Sequence, residues 1–472
     1  MNINPLIFRA YDIRGIASTD PDTIADLTPE TMYAIGQGVG SYFRRGKASD
    51  LINKRKAPPC VVCGKDNRLT SDNLHEAFIS GLLSAGCDVA DIGYASSPMV
   101  YFASCKYEVD GGANITASHN PKNYNGIKLV AKNAHSICGG EIQEILKIVQ
   151  DENFTEGKGN LDSKDIFPDY LAEICGRVKL ARPLKIVVDA GNGIAGAFAP
   201  KILKQLGCEV IEQHCELDGN FPNHEANPES EKNMKDVMER VVKEKADLGI
   251  GFDGDGDRVG VVDEKGRFYQ SDFLLIPIAR DVLARNPGAT IIFDIKSSKI
   301  LEEDILARNG KPLRYKTGHS FIETKMRETS APLAGETSGH IFFAENWFGF
   351  DDGIYAAARI VELLGKSAKP FSAFFDDLPK VFTTPEWKIP CSDNAKFRVT
   401  EDVKNFFAKR YPCITIDGVW VDFGKGAWGA VRASNTSPCL TARFEARDEK
   451  TFKLIQKIFT DKLKEYPEIE LL

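Results

Sequence analysis

One supersecondary pattern, present three times, sets the main constraint on what this 472-residue chain can form. An apolar strand is followed by a polar turn, an amphipathic helix and a second strand. The copies begin at PCVVCGKDNRLTS, LKIVVDAGNGIAG and TIIFDIKSS. Their helices stop where a positive φ is favoured, at Gly86, Gly207 and Gly310. The copies lie roughly 100–125 residues apart, which is domain spacing, so the pattern predicts three α/β domains with mainly parallel or mixed sheets.

The last part of the chain has a different pattern. Three strand-like segments are joined by short turns: CITIDGVWVDF, AWGAVRASN and LTARFEAR. Helical spacing precedes them in AKFRVTEDVKNFFAKRY and follows them in DEKTFKLIQKIFTDKLKEY. Consecutive strands with short connections form antiparallel sheets. The sequence therefore predicts a C-terminal α+β domain with an antiparallel sheet.

Polar segments mark the candidate domain boundaries. They are DENFTEGKGNLDSKD, the region of Gly266, and DDLPKVFTTPEW. A chain of this length exceeds what one ordinary core supports. We therefore expect four domains, at residues 1–163, 164–267, 268–380 and 381–472.

Composition excludes several classes of partner. The net charge of -7 argues against nucleic acid, which needs a basic face, but it permits a local pocket for a small phosphorylated ligand. No apolar run is long enough to cross a bilayer, and the N-terminus lacks a secretory signal pattern. Cys60 and Cys63 form a C-x-x-C in a predicted buried strand, without a second pair for a zinc site. We expect no nucleic-acid or membrane partner and a cytoplasmic location.

A serine-histidine pair stands in the segment GGANITASHNPKNYNGIK. GANIT and GIKLV are predicted strands, and the pair Asn125-Gly126 is typical of a tight turn. Ser118 and His119 would then occupy a loop from which side chains reach a cleft. An ordinary polar turn is the alternative, because Ser, Asn and Pro favour turns. The chain around Ser118 lacks G-x-S-x-G, which disfavours an acyl-transfer triad.

Three carboxylates follow a strand in DLGIGFDGDGDRVGVVD. Asp253, Asp255 and Asp257 repel one another unless a cation is present, and the glycines between them let the backbone wrap around an ion. All-oxygen ligands favour Mg²⁺ or Ca²⁺. An EF-hand is disfavoured, because Arg258 occupies the glycine position and both flanks are strands. Mg²⁺ is favoured, and a solvated acidic turn is the alternative.

Two further polar stretches occur in the second half of the chain. In APLAGETSGHIFF, an extended backbone would point Glu336, Ser338 and His340 one way and Thr337 the other. A carboxylate beside a hydroxyl suits neighbouring sugar hydroxyls, and a turn is the alternative. The stretch VRASNTSP suits a clamp for a phosphate group, formed by Arg432, Ser434, Asn435 and Thr436. A polar hairpin loop is the alternative.

The motifs TASHNP, DGDGDR, GETSGH and RASNTSP, in this order, resemble the four active-site loops of the α-D-phosphohexomutase superfamily. FRAYDIRG, DGNFPNHEANPE and WFGFDDGIY are similar to the bacterial phosphomannomutase/phosphoglucomutase branch. The resemblance runs almost end to end. Thr337 replaces the methionine usual in the sugar loop, and we expect little change in substrate class if it faces away from the sugar.

The resemblance implies four domains around a central cleft, each contributing one loop. It implies that Ser118 is phosphorylated and that the three aspartates hold one Mg²⁺ per chain together with a serine phosphate oxygen. Glu336 and Ser338 would bind the sugar hydroxyls. The non-reacting phosphate would be held by Arg432, Ser434, Asn435 and Thr436. The same pocket would be lined by Tyr11, Arg14, Lys296 and His319.

The implied activity is interconversion of hexose 1-phosphate and hexose 6-phosphate, of mannose or glucose, through a phosphoserine. Hexose 1,6-bisphosphate would be both intermediate and activator. Arg258 would offset the charge of the phosphoryl group. Lys128 would either do the same or act as the base. The candidates for proton transfer are Lys128, His119 and His340. We expect a monomer or weak homodimer. A phosphoglucosamine mutase and a non-catalytic sugar-phosphate-binding protein are the alternatives.

Overall fold

The computed structural model describes residues 3–20, 22–46, 58–435 and 437–469. Thr436, one of the residues predicted to bind phosphate, lies outside these ranges. The chain divides into two compact units. The first comprises Met1–Ser271 and Ser338–Ala373, and the second comprises Asp272–Thr337 and Phe374–Leu472. The predicted third domain is therefore shared between the units, and the bounds of the four predicted domains remain a prediction.

The first unit begins with a mixed sheet and its helices. The strands are β1 (Ile13–Ile16), β2 (Cys60–Lys65), β3 (Asp88–Tyr94), β4 (Gly111–Ile115), β5 (Tyr124–Ala131), β6 (His135–Ser136) and β7 (Leu161–Ser163). The helices are α1 (Pro29–Arg44), α2 (Ser71–Ser84), α3 (Ser97–Lys106) and α4 (Gly140–Gln150). The strand order is β1-β5-β4-β2-β3-β7, with β6 beside β5. β2 is parallel to β3 and β4 because helices connect them, whereas β5 is antiparallel to β4.

The predicted tight turn at Asn125-Gly126 is wrong. Both residues lie inside β5 and pair with Gly15 and Arg14 of β1. The local turn preference is overridden because β1 supplies a complete ladder of strand partners. The connection between β4 and β5 therefore comprises residues 116–123, and Ser118 remains in a loop between two strands, as predicted.

A second sheet completes the α/β part of the first unit. Its strands are β8 (Lys185–Asp189), β9 (Glu209–Gln213), β10 (Leu248–Phe252), β11 (Val259–Asp263) and β12 (Phe268–Tyr269), and its helices are α5 (Phe167–Arg177), α6 (Ala199–Gln205) and α7 (Lys235–Glu244). The order is β12-β11-β10-β8-β9. β8 is parallel to both β9 and β10, so the carboxyl ends of these three strands lie at one edge of the sheet.

The second unit contains a parallel group of strands. The elements in chain order are α8 (Ser271–Arg285), β13 (Thr290–Asp294), α9 (Lys299–Ala307), β14 (Lys311–Tyr315), α10 (His319–Thr329) and β15 (Leu333–Gly335). β13 is the central strand, parallel to β14 and β15. The chain then returns to the first unit with β16 (Ile341–Phe343) and α11 (Gly353–Gly365).

The last part of the second unit is the predicted antiparallel α+β structure. Its elements are β17 (Phe382–Thr383), β18 (Trp387–Pro390), α12 (Asp393–Ala408), β19 (Cys413–Ile414), β20 (Val419–Gly424), β21 (Ala427–Ala433), β22 (Cys439–Ala446) and α13 (Glu449–Leu463). The order is β17-β22-β21-β20-β19, with β18 beside β22. Phe407 of α12 stacks on Phe459 of α13 with ring centroids 4.2 Å apart, which joins the helices over the sheet.

Short single-turn helices and the helix ends complete the description. The 3₁₀ helices are Pro5–Ile7, Lys132–Ala134, Ile194–Ala197 and Phe371–Phe375. Gly86 and Gly207 have the predicted positive φ, 86° and 103°. Gly310 does not; the left-handed residue is its neighbour Asn309, with φ 58°. A Cβ at Gly310 would lie 2.8 Å from the Leu283 side chain, so packing explains that glycine. Every described helix is too short or too polar to traverse a bilayer.

We expect Gly126→Ala to destabilise the first unit. A Cβ there would lie 2.3 Å from the carbonyl oxygen of Ile13, so paired backbones would have to separate. Overpacking of this kind costs about 1–3 kcal/mol, which a chemical denaturation curve would report. Gly176→Ala in α5 is the control, because its Cβ meets nothing within 4 Å, and it should be neutral or slightly stabilising. An unchanged denaturation midpoint for Gly126→Ala would contradict the pairing of β1 with β5.

Candidate active site

Ser118 is held in a strained backbone conformation. Its φ is 51°, in the left-handed region that residues other than glycine rarely adopt. Its N–H donates to Thr116 Oγ1 at 2.9 Å, and only 1% of the residue is exposed. Such strain persists only where surrounding contacts determine the conformation, and it is common at functional sites. The loop therefore fixes the direction of the serine hydroxyl.

Arg68 anchors this loop, although it belongs to none of the motifs that the sequence offers. The buried guanidinium is 3.2 Å from Asp66 Oδ2. Its terminal nitrogens donate to the carbonyl oxygens of Ser118, Asn120, Pro121 and Tyr124 at 2.6–3.0 Å. A planar fork can satisfy several carbonyls at once, which lysine cannot do. The only sequence signal was a basic residue in the turn after β2.

The three aspartates lie between β10 and β11, as predicted. Asp253, Asp255 and Asp257 are completely buried, and one carboxylate oxygen from each lies within 4.8 Å of the others. Ser118 Oγ donates to Asp253 Oδ2 at 2.6 Å. Gly254 permits this approach, because a Cβ there would lie 2.3 Å from the Ser118 carbonyl oxygen. The structure thus joins the serine loop and the acidic loop directly.

The acidic loop fits a hard cation. Lys128 Nζ contacts Asp255 Oδ2 at 2.6 Å and also Asp257 Oδ2, and Ser97 Oγ donates to Asp255 at 2.6 Å. The other oxygens of Asp255 and Asp257 are buried without a hydrogen-bond donor. Buried carboxylate oxygens that lack donors are costly, and Mg²⁺ or Ca²⁺ coordination would satisfy them.

Charge in this cluster is distributed unequally. Burial, together with repulsion from Asp257 and Asp255, raises the pKa of Asp253 well above its usual value. Burial and Asp257 act in the same direction on Asp255, but Lys128 outweighs them and lowers the pKa of Asp255. Burial opposes the charge of Lys128, yet Asp255 and Asp257 raise its pKa well above normal. Lys128 is therefore a fixed positive charge.

The partly exposed Arg258 and the buried His340 form a pair beside the aspartates. Arg258 Nε donates to His340 Nε2 at 3.0 Å, which leaves the ring proton on Nδ1, 2.7 Å from Asp351 Oδ2. Burial lowers the pKa of His340 to about 3, with Asp257 opposing and Arg258 assisting. His340 is thus neutral near pH 7. Asp351 was not singled out from the sequence.

The remaining predicted residues of the first unit lie at different distances from the serine. His119 Nδ1 is 3.2 Å from Ser118 Oγ. Arg14 donates to Asn120 Oδ1 of the serine loop at 2.6 Å and to Asp12 at 2.5 Å. Tyr11 is half-buried and contributes to the electrostatic environment of Arg258. Ser338 lies in a turn, half-buried.

The predicted sugar loop is a turn and not an extended segment. Glu336 and Thr337 follow β15, the chain turns, and Gly339 has φ 103°. The alternation predicted for residues 336–340 is therefore wrong. Thr337 Oγ1 donates to Asp294 Oδ2 at 2.8 Å, and the Glu336 carboxylate accepts the N–H of Gly318. The side chains of Glu336 and Thr337 are thus each held by a contact within the second unit.

The other predicted binding residues of the second unit are buried polar groups. His319 begins α10 directly after Gly318 and is 7% exposed. Lys296 forms an ion pair with Glu386. Arg432, at the end of β21, donates to Asp417 Oδ2 at 2.7 Å.

Asn435 and the adjacent Ser434 follow β21, and Asn435 reaches the preceding α/β region. Asn435 donates to the Thr317 carbonyl at 3.3 Å, while Ser434 Oγ accepts the N–H of Ser437 at 3.1 Å. A cavity of about 410 Å³ adjoins Asn435, with Lys316 and Lys404 in its wall. Glu401 and Asp417 lie in the same wall, so the two lysines are balanced by two carboxylates.

Four family profiles match successive parts of the chain. Their descriptions are phosphoglucomutase/phosphomannomutase alpha/beta/alpha domains I, II and III and the C-terminal domain, at residues 5–156, 165–266, 270–382 and 386–462. The chain belongs to the phosphoglucomutase/phosphomannomutase family. The predicted family and fold class, three α/β domains with mixed sheets and a C-terminal α+β domain, are confirmed.

Individual relatives resemble nearly the whole chain. A phosphomannomutase/phosphoglucomutase of Pseudomonas aeruginosa is 44% identical over 97% of this chain and 95% of that protein. A phosphoglucomutase of Neisseria meningitidis serogroup A is 41% identical over 99% of both. The crystal structure of a phosphoglucomutase/phosphomannomutase family protein from Burkholderia thailandensis has a TM-score of 0.89 and 38% identity, over 98% of both chains.

We expect Arg68→Lys to loosen the serine loop without unfolding the first unit. Lysine keeps the charge near Asp66 but cannot donate to four carbonyls. Losing at least one charge-assisted hydrogen bond, worth about 1.5–3 kcal/mol, should speed amide hydrogen exchange in residues 116–124 by roughly tenfold to hundredfold. Arg240→Lys on the surface of α7 is the control. Equal exchange rates in the two variants would mean that Arg68 does not anchor the loop.

Proposed function

We propose that this chain is a phosphohexomutase that interconverts hexose 1-phosphate and hexose 6-phosphate. The observation that carries the proposal is the buried hydroxyl of Ser118, 2.6 Å from Asp253 within a cluster of three carboxylates. Family membership along almost the whole chain supports this reaction class. Relatives named for both mannose and glucose suggest that both sugars are accepted.

Phosphorylated Ser118 is the phosphoryl donor. The 6-hydroxyl of hexose 1-phosphate attacks the phosphorus, the bond to Ser118 Oγ breaks, and the serine oxygen regains a proton as the substrate hydroxyl loses one. The product of this step is hexose 1,6-bisphosphate. After the sugar reverses its orientation, Ser118 takes the phosphoryl group from position 1, which leaves hexose 6-phosphate. The bisphosphate also activates the enzyme, because it can phosphorylate free Ser118.

Charge stabilisation dominates phosphoryl transfer, since protein groups do little covalent work in it. The Lys128 ammonium, between Asp255 and Asp257, and the Arg258 guanidinium are fixed cations beside the serine. A divalent ion held by Asp253, Asp255 and Asp257, which we propose is Mg²⁺, one per chain, would add positive charge for the phosphoryl oxygens. Lys128 therefore stabilises charge and is not the base.

His119 is the group best placed for proton transfer at the serine. Its Nδ1 is 3.2 Å from Ser118 Oγ, within reach of the oxygen whose bond to phosphorus forms and breaks. His340 is committed to Arg258 and Asp351. We therefore assign His340 to positioning Arg258 and not to proton transfer.

Substrate binding away from the reacting atoms falls to the predicted sugar and phosphate residues. Glu336 and Ser338 would hold sugar hydroxyls, and the non-reacting phosphate would be bound by Arg432, Ser434, Asn435 and Thr436. Further pocket contacts would come from Tyr11, Arg14, Lys296 and His319. Binding remote from the reaction aligns the attacking hydroxyl. We further propose a cytoplasmic monomer or weak homodimer whose partners are hexose phosphates.

We expect purified protein to carry one phosphate on a fraction of molecules, measurable by intact mass. Ser118→Ala and Ser118→Gly should lose both that phosphate and mutase activity, by at least about thousandfold. Glycine tolerates the positive φ at this position, so an unchanged denaturation midpoint in Ser118→Gly would separate the loss of the hydroxyl from a folding defect. Ser80→Ala, an exposed serine of α2, should retain phosphate and activity. Phosphate retained in the Ser118 variants would refute the donor assignment.

The preferred sugar can be identified from the reaction rates with three sugar 1-phosphates. Glucose 1-phosphate and mannose 1-phosphate should be converted with higher kcat/KM than glucosamine 1-phosphate. A preference for the amino sugar would overturn the choice of substrate and leave the phosphoserine mechanism in place.

We expect Arg432→Ala to raise KM more than it lowers kcat. The side chain would bind a phosphate that does not react, so its loss removes binding shared by ground state and transition state. One charge-assisted bond is worth about 1.5–3 kcal/mol, or roughly tenfold or more in KM. Arg447→Ala, which breaks a surface ion pair with Glu303 in the same unit, is the control. An unchanged KM for Arg432→Ala would count against the clamp.

A further inference from the structure

A second group of possible metal ligands lies in the first unit, and the reaction above does not use it. Asp189 is the last residue of β8, His214 directly follows β9, and His224 lies in the loop that follows. One ligand atom from each residue lies within 4.8 Å of the other two. We call this group the histidine-aspartate cluster. It forms because β8 and β9 are parallel and end at the same edge of the sheet.

His224 has the hydrogen-bonding pattern of a metal ligand. Its Nδ1 lies 2.9 Å from the Glu225 carbonyl oxygen, which can only accept, so Nδ1 carries the ring proton. Its Nε2 faces Asp189 Oδ2 at 3.2 Å. Asp189 Oδ1 is occupied by the N–H of Gly191 at 2.7 Å. Backbone groups thus orient both side chains and leave Nε2 and Oδ2 facing each other, close enough to bind one ion.

His214 is oriented by a carboxylate. Its Nε2 lies 3.0 Å from Asp236 Oδ2 on α7, a pairing that also orients histidine ligands in zinc proteins. The His214 and His224 rings meet edge to face with centroids 5.4 Å apart. Side-chain exposure is 21% for His214, 16% for His224 and 2% for Asp189, so the cluster is partly buried but open to an entering ion.

We propose that Asp189, His214 and His224 bind a transition-metal ion of the Zn²⁺ class, at a site that shares no ligand with the three active-site aspartates. Two imidazoles and one carboxylate match the ligand preference of Zn²⁺, whereas Mg²⁺ prefers oxygen alone. Three protein ligands leave one tetrahedral position for water.

The ion would brace one wall of the cavity beside Ser118. Residues of the loop after His214, among them Asn220, Phe221 and Glu225, line a cavity of about 160 Å³ together with Ser118 and His119. This loop already rests on the serine-loop anchor, since Arg68 lies 5.1 Å from the Phe221 ring centroid. An ion on the cluster would tie the loop to β8 and β9. The site itself does not depend on the proposed mutase activity.

Zinc binding tests the proposal directly. Full-length protein in excess Mg²⁺ is titrated with Zn²⁺ against a chromogenic chelator, and one Zn²⁺ per chain is expected. His214→Gln and His224→Gln should each weaken that binding by at least about tenfold. His135→Gln, a half-buried histidine in β6, is the matched control and should bind like the parent. Asp255→Asn should also retain the Zn²⁺, which separates this site from the acidic loop.

A second readout does not require the variants to be equally stable. Co²⁺ bound to the parent should show visible ligand-field bands that shift or vanish in His224→Gln, because imidazole nitrogen is lost. Zn²⁺ should slow amide exchange of residues 214–228 in the parent and leave residues 440–460 unchanged. Absence of stoichiometric Zn²⁺ binding by the parent, or full retention in both histidine variants, overturns the proposal. Mutase activity with Mg²⁺ alone reports separately on the proposed function.

Discussion

The active site depends on burying three carboxylates around one lysine. Each buried carboxylate costs several kcal/mol unless it is paired, and Lys128 can reach only Asp255 and Asp257. Asp253 is left with backbone donors, the Ser118 hydroxyl and Arg258 at 3.8 Å. The cluster is therefore short of positive charge. A cation held by the three carboxylates would offset this deficit.

The position of the serine follows from the same loop. Gly254 lets the Ser118 carbonyl approach where any side chain would collide with it. Ser118 has a left-handed backbone at the same place, which costs of order 1–3 kcal/mol. Four carbonyl bonds from Arg68 offset the cost and preserve the conformation. The Ser118 loop is therefore held in place by Arg68 and by the close approach of Gly254.

The sequence predicted the elements and the chemistry of the loops better than their backbone shapes. Repeated strand-helix patterns located β2, β8 and β13 because hydrophobic periodicity is local. The turn predicted at Asn125-Gly126 is wrong, because pairing with β1, over 100 residues away, outweighs the turn preference of two residues. Arg68 escaped notice for a related reason: it acts on the carbonyls of a loop about 50 residues away, and carbonyls have no sequence signature. The turn at Thr337 was hidden because Gly339, which permits it, was treated as part of an extended run.

The second sheet carries both of the proposed cation sites. β10, β8 and β9 are parallel neighbours, so their carboxyl ends lie at one edge of the sheet. Asp189 is the last residue of β8, and Asp253 and His214 directly follow β10 and β9. The two sites are also close in space, because the turn after Asp189 packs on Gly254 of the acidic loop. There the Ile194 N–H donates to the Gly254 carbonyl at 3.0 Å. Selectivity between the two kinds of ion must then come from the ligand atoms of each site. Oxygen alone after β10 favours a hard ion, whereas imidazole after β9 favours a softer one. An ion at the histidine-aspartate cluster would stiffen a loop that lines the cavity beside Ser118, and an ion at the acidic loop would lie next to Ser118 itself.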